Sequence, residues 1–217
     1  MNPRIKICCI SSIEEAKTAI DFGATALGLV GHMPSGPGVI SDDVIYKIAR
    51  AVPPAVATFL LTSETSPDKI IAHHQLTYTN TIQIVDAVSI DTYKRLREAM
   101  PAIKLVQVIH VIDHRSVAEA IEMAEHVDAI LLDSGNPNLE VKELGGTGRV
   151  HNWRLSKEIC KVLKIPVFLA GGLNPGNVRQ AIEEVQPFGL DLCSGVRTNG
   201  KLDERKLEAF FKAAGNN

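Results

Sequence analysis

Short apolar runs alternate with amphipathic stretches from one end of the chain to the other. Each run is rich in isoleucine, valine and leucine and is six to eight residues long. Runs of this kind are typical of parallel strands that are buried on both faces. The predicted strands are 5–10, 26–31, 55–62, 81–86, 104–111, 129–134, 166–172 and 189–196.

An amphipathic stretch follows each predicted strand and predicts a helix. Ser12 and Glu15 have the spacing of a capping box, so the first helix should begin there and end near Gly23. Ser41 and the two aspartates after it mark the start of the second helix, since carboxylates favour a helix N-terminus. The other predicted helices are 66–76, 89–100, 113–126, 152–163, 174–185 and 203–215.

Eight strand-then-helix units without a break in composition predict a parallel sheet with right-handed crossovers. Because the units are even, we expect the sheet to close into one (β/α)8 TIM barrel, an α/β fold, over residues 1–217. An open, doubly wound sheet is the alternative. At 217 residues the chain is near the lower end for such a barrel. Active sites of this fold lie at the carboxyl ends of the strands.

Charge and composition argue against several kinds of partner. The formal net charge of −2 gives no electrostatic reason to bind nucleic acid or an anionic membrane. Polar residues interrupt every apolar run before it could span a bilayer. The four cysteines lack CxxC spacing, and no histidine pair has convincing metal-ligand spacing. We therefore expect a cytoplasmic protein without disulfides or metal.

Paired small residues end the last two predicted strands. Gly171 and Gly172 close strand seven, and Ser194 and Gly195 close strand eight. Glycines let backbone N–H groups approach an anion, and the loops after strands seven and eight are the usual phosphate site of this barrel. The sequence therefore predicts a phosphate site here. The alternative is that these glycines only make tight turns.

A long loop from about 135 to 151 follows strand six and contains Gly146 and Gly148. A connection of this length is more typical of a lid over substrate than of a passive linker. Both glycines are therefore candidate substrate contacts. A plain surface loop is the alternative.

Two titratable side chains end strands on opposite sides of the predicted barrel mouth: Cys8 after strand one and Asp133 after strand six. Strand alternation predicts that Lys6 and Cys8 face the barrel interior, while Cys9 and the flanking isoleucines face the helices. A nearby ammonium would favour the Cys8 thiolate, which makes it a candidate base, although a lone cysteine is more often a core residue. A buried carboxylate at Asp133 is costly to keep without a use or a partner. Asp191 is expected to have a structural role.

Taken together, these segments resemble the phosphoribosylanthranilate isomerase family over almost the whole chain. The resemblance implies an Amadori rearrangement of an N-(5′-phosphoribosyl) amine without metal or cofactor, a step of tryptophan biosynthesis when the amine is anthranilate. It implies that Asp133 is the general acid that opens the furanose ring, and that Cys8 is the general base that removes the C2′ proton. The matching segments are Lys6–Cys8, Leu131–Asp133, Gly145–Gly148 with Trp153, Leu169–Pro175 and Asp191–Val196.

The chain departs from the family pattern mainly where the amine would bind. The family's Ser-Pro-Arg after strand two, whose arginine holds the anthranilate carboxylate, is replaced by Ser35–Gly38. Asp86 stands where the family's Gln-Leu-His-Gly ends, and it would bring a negative charge near that carboxylate. The backbone N–H groups of Gly36 and Gly38 are candidate replacements for the arginine. The other possibility is a different amine.

Two further departures lie at the ends of strands one and eight, where Cys9 and Arg197 replace a glycine and a glutamate. Alternatives to the leading function are a divergent paralogue that acts on another phosphosugar amine or an aldose phosphate, and a non-catalytic phosphosugar-binding barrel. The retained Cys8 and Asp133 argue against a pure binder. The expected partner is a small phosphosugar substrate, bound by a monomer or a homodimer.

Overall fold

The structure is a computed structural model that describes residues 2–136, 138–139, 142, 144 and 148–215. Within these residues, strands and helices alternate along the chain, as the hydrophobic pattern predicts. The strands are β1 (Arg4–Ile7), β2 (Ala26–Val30), β3 (Ala57–Thr62), β4 (Thr81–Ile84), β5 (Lys104–His110), β6 (Ala129–Asp133), β7 (Val167–Leu169) and β8 (Gly189–Leu192). The helices are α1 (Ile13–Asp21), α2 (Asp42–Ala51), α3 (Pro67–Thr77), α4 (Ile90–Ala99), α5 (Arg115–Ala124), α6 (Trp153–Val162), α7 (Val178–Val185) and α8 (Glu204–Ala214).

The eight strands form a closed parallel barrel in chain order, which confirms the predicted (β/α)8 fold. β1 closes the ring by pairing with β2 on one side and β8 on the other. In this register Lys6 lies opposite Ala26 and Asp191. The closing seam therefore brings a buried cation and a buried carboxylate together inside the barrel.

Two apolar layers follow from the alternation of side chains along each strand. One fills the space between sheet and helices and includes Leu27 and Leu29 of β2. The other lies inside the barrel and includes Ala26 and Val30 of the same strand. The inner layer is interrupted by charged and polar side chains near the carboxyl ends of the strands, and these side chains position the candidate site.

The predicted starts of α1 and α2 are present, whereas α7 begins at Val178 and not at the predicted 174, because residues 175–177 form a turn. The Ser12 hydroxyl accepts a hydrogen bond from the backbone N–H of Glu15, and the Ser41 hydroxyl accepts one from Val44. α1 ends at Asp21, just before Gly23, whose φ is +103°. Among the described residues, no helix is long and apolar enough to cross a membrane.

The backbone differs from the prediction at the ends of β1 and β8. β1 ends at Ile7, and Cys9 has a φ of +62°, so its side chain joins the inner layer beside Cys8. The prediction that Cys9 faces the helices was therefore wrong, because left-handed backbone breaks the alternation of an extended strand. β8 ends at Leu192 and continues as a 3₁₀ turn over Ser194–Val196. A short hairpin then follows, formed by β9 (Arg197–Thr198) and β10 (Lys201–Leu202).

Candidate functional site

A cavity opens at the carboxyl ends of the strands and encloses about 680 Å³ including its mouth. The cavity brings together most of the residues that the sequence indicated as candidate site residues. Its lining includes Cys8, Asp133, Gly36, Gly148, Gly171, Gly172 and Ser194.

Cys8 lies next to the buried ion pair at the closing seam. The Nζ atom of Lys6, which is fully buried, lies 2.9 Å from Oδ2 of Asp191. A Cβ added to Gly28 would stand 2.7 Å from the Cys8 Sγ and 3.0 Å from the Lys6 Nζ, so glycine leaves room for both groups. Burial by itself would lower the pKa of Lys6, but Asp191 and the neighbouring Cys8 raise it above its usual value. The ammonium therefore stays charged beside the thiol.

Asp133 is the last residue of β6 and is almost entirely buried. Burial raises the pKa of its carboxyl group, and this outweighs a hydrogen bond from the Ser134 backbone N–H at 2.7 Å and the charge of His110, which lower it. Desolvation penalises the charged form of an acid. The carboxyl group can therefore hold a proton that a more exposed aspartate would lose.

The loops after β6, β7 and β8 meet on one side of the cavity. Gly171 and Gly172 have φ values of +85° and +63°, and a Cβ on Gly172 would lie 2.8 Å from the backbone carbon of Arg149. A Cβ on Gly195 would lie only 2.0 Å from the carbonyl oxygen of Leu173. The backbone conformation thus favours glycine at positions 171 and 172, and close backbone contacts require it at positions 172 and 195.

Two asparagines brace this loop cluster. Asn174 and Asn177 each donate a side-chain hydrogen bond to the carbonyl oxygen of Gly172, at 3.1 and 2.9 Å. Both donors hold the same carbonyl, which fixes the orientation of the peptide that follows Gly172. The sequence placed these asparagines only at the start of a helix, because nothing in the pattern distinguishes a helix cap from a side chain that braces a loop.

The opposite side of the cavity is formed by the loop after β2. Ser35 and Gly36 line it, whereas Gly38 (φ +82°) packs against Cys9. Asp86 and Gly195 are not part of the lining formed by the described residues, and Gly146 lies outside the described residues.

Lys142 is a cation next to this end of the cavity, outside its lining, that the sequence interpretation missed. Its Nζ lies 2.5 Å from Oδ2 of Asp86, and its carbonyl oxygen accepts a hydrogen bond of 2.5 Å from the Ser35 hydroxyl. Lys142 belongs to the long loop after β6, so it joins that loop to the loops after β2 and β4. No local pattern marks such a residue, because its partners are 107 and 56 positions away along the chain.

Metal ligation is not supported by the described part of the chain, in which no group of three or more histidine, cysteine, aspartate or glutamate side chains is arranged to hold a metal ion. The groups available for chemistry are a buried acid, a thiol with an ammonium beside it, and glycine-rich backbone. This set suits proton transfer on a bound anion.

Comparisons with known proteins agree on one family. Residues 5–213 match the family model described as N-(5′-phosphoribosyl)anthranilate (PRA) isomerase. The N-(5′-phosphoribosyl)anthranilate isomerase of Desulforudis audaxviator is 38% identical, over 97% of this chain and 97% of that protein.

Two solved structures are similar over their whole length. The phosphoribosyl anthranilate isomerase of Thermotoga maritima has a TM-score of 0.81 at 30% identity, with 98% of each chain covered. A second structure of such an isomerase, in complex with reduced 1-(o-carboxyphenylamino)-1-deoxyribulose 5-phosphate, has a TM-score of 0.78 at 28% identity and the same coverage.

Proposed function

The chain belongs to the N-(5′-phosphoribosyl)anthranilate isomerase family, and we propose that it converts N-(5′-phosphoribosyl)anthranilate into the corresponding amino-ketose in tryptophan biosynthesis. The observation that carries the proposal is one cavity that holds a buried acid, a thiol beside an ammonium, and a glycine-built loop cluster. The ligand of the related complex, a reduced carboxyphenylamino-deoxyribulose phosphate, has the chemistry that such a cavity would accept.

Asp133 is the proposed general acid. It gives its proton to the furanose ring oxygen, the bond between that oxygen and C1′ breaks, and the aminal becomes a protonated Schiff base. The raised pKa supports this role, because the group must still carry its proton near neutral pH. The hydrogen bond from Ser134 holds one carboxyl oxygen and fixes the orientation of the acid.

Cys8 is the proposed general base. Its thiolate takes the proton from C2′, and the Schiff base becomes an enolamine that tautomerises to the ketone. The net reaction is an isomerisation, so no oxidant, reductant or leaving group is needed. The buried ammonium of Lys6 lies beside this thiol, and Asp191 holds that ammonium in place.

The phosphate is proposed to bind at Gly171, Gly172, Ser194 and Gly195. Gly171 and Gly172 have positive φ values, and the three glycines have no side chain that would keep a phosphate from their backbone N–H groups. The N-terminus of α7 follows closely after β7. Gly148 extends the same wall from the loop after β6, since a Cβ there would lie 3.7 Å from the Ser194 hydroxyl.

Lys142 and the backbone of Gly36 are the proposed partners of the anthranilate carboxylate. In the sequence, the negative charge of Asp86 favoured a different amine. In the structure the Lys142 Nζ lies 2.5 Å from Oδ2 of Asp86 and compensates that charge. The Lys142 carbonyl oxygen accepts a hydrogen bond from Ser35 in the loop after β2, where the family's arginine is missing. A lysine from the loop after β6 would thus replace an arginine from the loop after β2.

The proposed setting is the cytoplasm, where the four free thiols would stay reduced. A monomer or a homodimer is proposed as the active form.

The test is turnover of N-(5′-phosphoribosyl)anthranilate, followed by loss of its fluorescence. The wild-type protein should consume it, and a Cys8→Ser, Asp133→Asn double variant should not. Wild-type turnover no faster than that of the double variant would reject anthranilate as the amine. The same assay with other N-(5′-phosphoribosyl) amines would then identify the amine that is used.

A further inference from the structure

Arg197 is a buried cation at the seam between β1 and β8. Its Nη1 lies 2.9 Å from Oε1 of Glu15 and donates to the carbonyl oxygen of Gly200 at 3.0 Å. Its Nη2 donates to two consecutive carbonyl oxygens at the end of β1, those of Cys8 at 3.2 Å and Cys9 at 2.6 Å. The guanidinium therefore binds the two consecutive peptide groups on either side of the Cys9 Cα, directly after the proposed base.

This arrangement depends on an unusual backbone conformation. In an extended strand, consecutive carbonyl groups point to opposite sides and could not meet one donor. Cys9 has a φ of +62°, in the left-handed region that side chains other than glycine and asparagine rarely adopt. That conformation turns the Cys9 carbonyl to the side of the Cys8 carbonyl, where both accept from the same nitrogen.

The conformation of Cys9 is strained, and strained residues persist only where their surroundings determine them. A Cβ on Gly38 would lie 2.5 Å from the Cys9 Cβ, so the loop after β2 leaves room for Cys9 only because position 38 is glycine. The guanidinium provides the complementary restraint from the backbone side.

Arg197 is itself firmly held. Glu15 accepts hydrogen bonds from the backbone N–H groups of Ser11 and Leu202, both at 3.0 Å, in addition to its pair with Arg197. The Lys206 ammonium donates to the carbonyl oxygen of Arg197 at 2.6 Å. The start of α1, the β9–β10 hairpin and α8 thus fix the guanidinium against the end of β1.

We propose that Arg197 is a positioning residue for the Cys8 base. By gripping the carbonyls of Cys8 and Cys9, it holds Cys9 left-handed and keeps the Cys8 thiol beside the Lys6 ammonium. The part of this proposal that concerns catalysis rests on the proposed function of Cys8. The part that concerns the placement of the thiol does not.

The experiment combines two substitutions. Arg197→Met keeps much of the side-chain volume and removes the guanidinium, whereas Cys9→Gly removes the strain of the left-handed conformation. Wild type, both single variants and the double variant are compared by kcat and KM for N-(5′-phosphoribosyl)anthranilate. They are also compared by the rate of Cys8 alkylation with iodoacetamide, resolved by peptide mass spectrometry. Lys201→Met, which removes an exposed cation from β10 of the same hairpin, is the matched control.

Arg197→Met should lower kcat about tenfold to a hundredfold with KM within about twofold, because a misplaced base slows the chemical step and leaves substrate binding intact. It should also slow Cys8 alkylation about fivefold or more, as the thiol leaves its ammonium. In the Cys9→Gly background, Arg197→Met should lower kcat about threefold or less, since glycine adopts the left-handed conformation without the guanidinium. Lys201→Met should change neither measurement.

Equal losses in the two backgrounds would overturn the proposal, as would wild-type kcat and alkylation in a variant whose only defect is a lower Tm. If Arg197→Met does not fold, Arg197→Lys decides: a lower kcat at an unchanged Tm supports the proposal, and wild-type kcat contradicts it. If the wild type does not turn over this substrate, the alkylation rates still test the placement of Cys8, so the two proposals fail separately.

Discussion

The two ends of the cavity are built in different ways. The end formed by the loops after β7 and β8 is made of backbone, with Gly171 and Gly172 in left-handed conformations and Gly195 against a carbonyl oxygen. The other end is lined by Ser35 and Gly36, and an ion pair between Lys142 and Asp86 joins two loops beside it. A backbone site tolerates little change in sequence, whereas a charge can be supplied from any nearby loop. The end proposed to bind the phosphate is thus the fixed part of the pocket, and the end proposed to bind the amine is the part in which the sequence can change.

The largest expected effect is on kcat and comes from Asp133, which lies between the two ends of the cavity. Asp133→Asn removes the proton donor and should lower kcat by about 10²–10⁴-fold, the usual contribution of a general acid. Ribose 5-phosphate and anthranilate should still bind as inhibitors with unchanged constants, because neither end is altered. Steady-state kinetics with both inhibitors measures this, with the exposed Asp43→Asn as the control. Loss of inhibitor binding together with kcat would mean that Asp133 supports the pocket rather than the reaction.

Lys142→Met tests the amine end alone. Loss of a hydrogen bond to a charged group costs about 1.5–3 kcal/mol, so KM should rise roughly tenfold to a hundredfold. The inhibition constant of anthranilate should rise with it, while that of ribose 5-phosphate stays the same. Lys47→Met, which breaks an exposed pair with Asp43 on α2, is the matched control. An unchanged KM would mean that the anthranilate carboxylate binds the backbone of Gly36 and not Lys142.

Gly172→Ala tests the phosphate end alone. The new Cβ would lie 2.8 Å from the backbone carbon of Arg149, so the loop must shift. KM and the inhibition constant of ribose 5-phosphate should rise about tenfold, as one backbone contact to an anion is lost. Gly200→Ala is the control, because Gly200 also has a positive φ (+77°) but open space around its Cβ position. Equal effects of the two substitutions on KM would mean that backbone strain, and not phosphate contact, explains the result.

The smallest effect concerns stability. The pKa of Asp133 is raised in the folded state, so its stabilising contribution is present below the ordinary aspartate pKa of about 3.9 and is lost as pH rises through the folded value. Asparagine at this position does not titrate. The free energy of unfolding of Asp133→Asn, relative to wild type, should therefore increase from about pH 4 towards neutrality. Urea unfolding at a series of pH values measures it, and a decreasing difference would contradict the raised pKa.

The fold could be predicted from the sequence because its signals are local. Each strand and helix is marked by a short apolar run or an amphipathic stretch, and the start of α1 by Ser12 and Glu15. Closure of the barrel followed from eight even units. The left-handed Cys9 could not be predicted from the sequence, because alternation assumes an extended chain and β1 ends two residues earlier.

The candidate site was predictable only in part. Cys8, Asp133 and the glycines after β7 lie at strand ends, where the barrel fold says to look, and the structure places them on one cavity. Lys142 and Arg197 were missed because their roles depend on which distant loops they meet. The departures at positions 9 and 197 were both visible in the sequence, but only the structure shows that the two residues are in contact.

The most direct measurement is a crystal structure with reduced 1-(o-carboxyphenylamino)-1-deoxyribulose 5-phosphate bound. The account predicts the phosphate on the backbone of Gly172 and Gly195, the sugar carbons between Cys8 and Asp133, and the carboxylate within hydrogen-bond distance of Lys142. A phosphate bound away from the loops after β7 and β8, or a ligand that does not reach both Cys8 and Asp133, would contradict it.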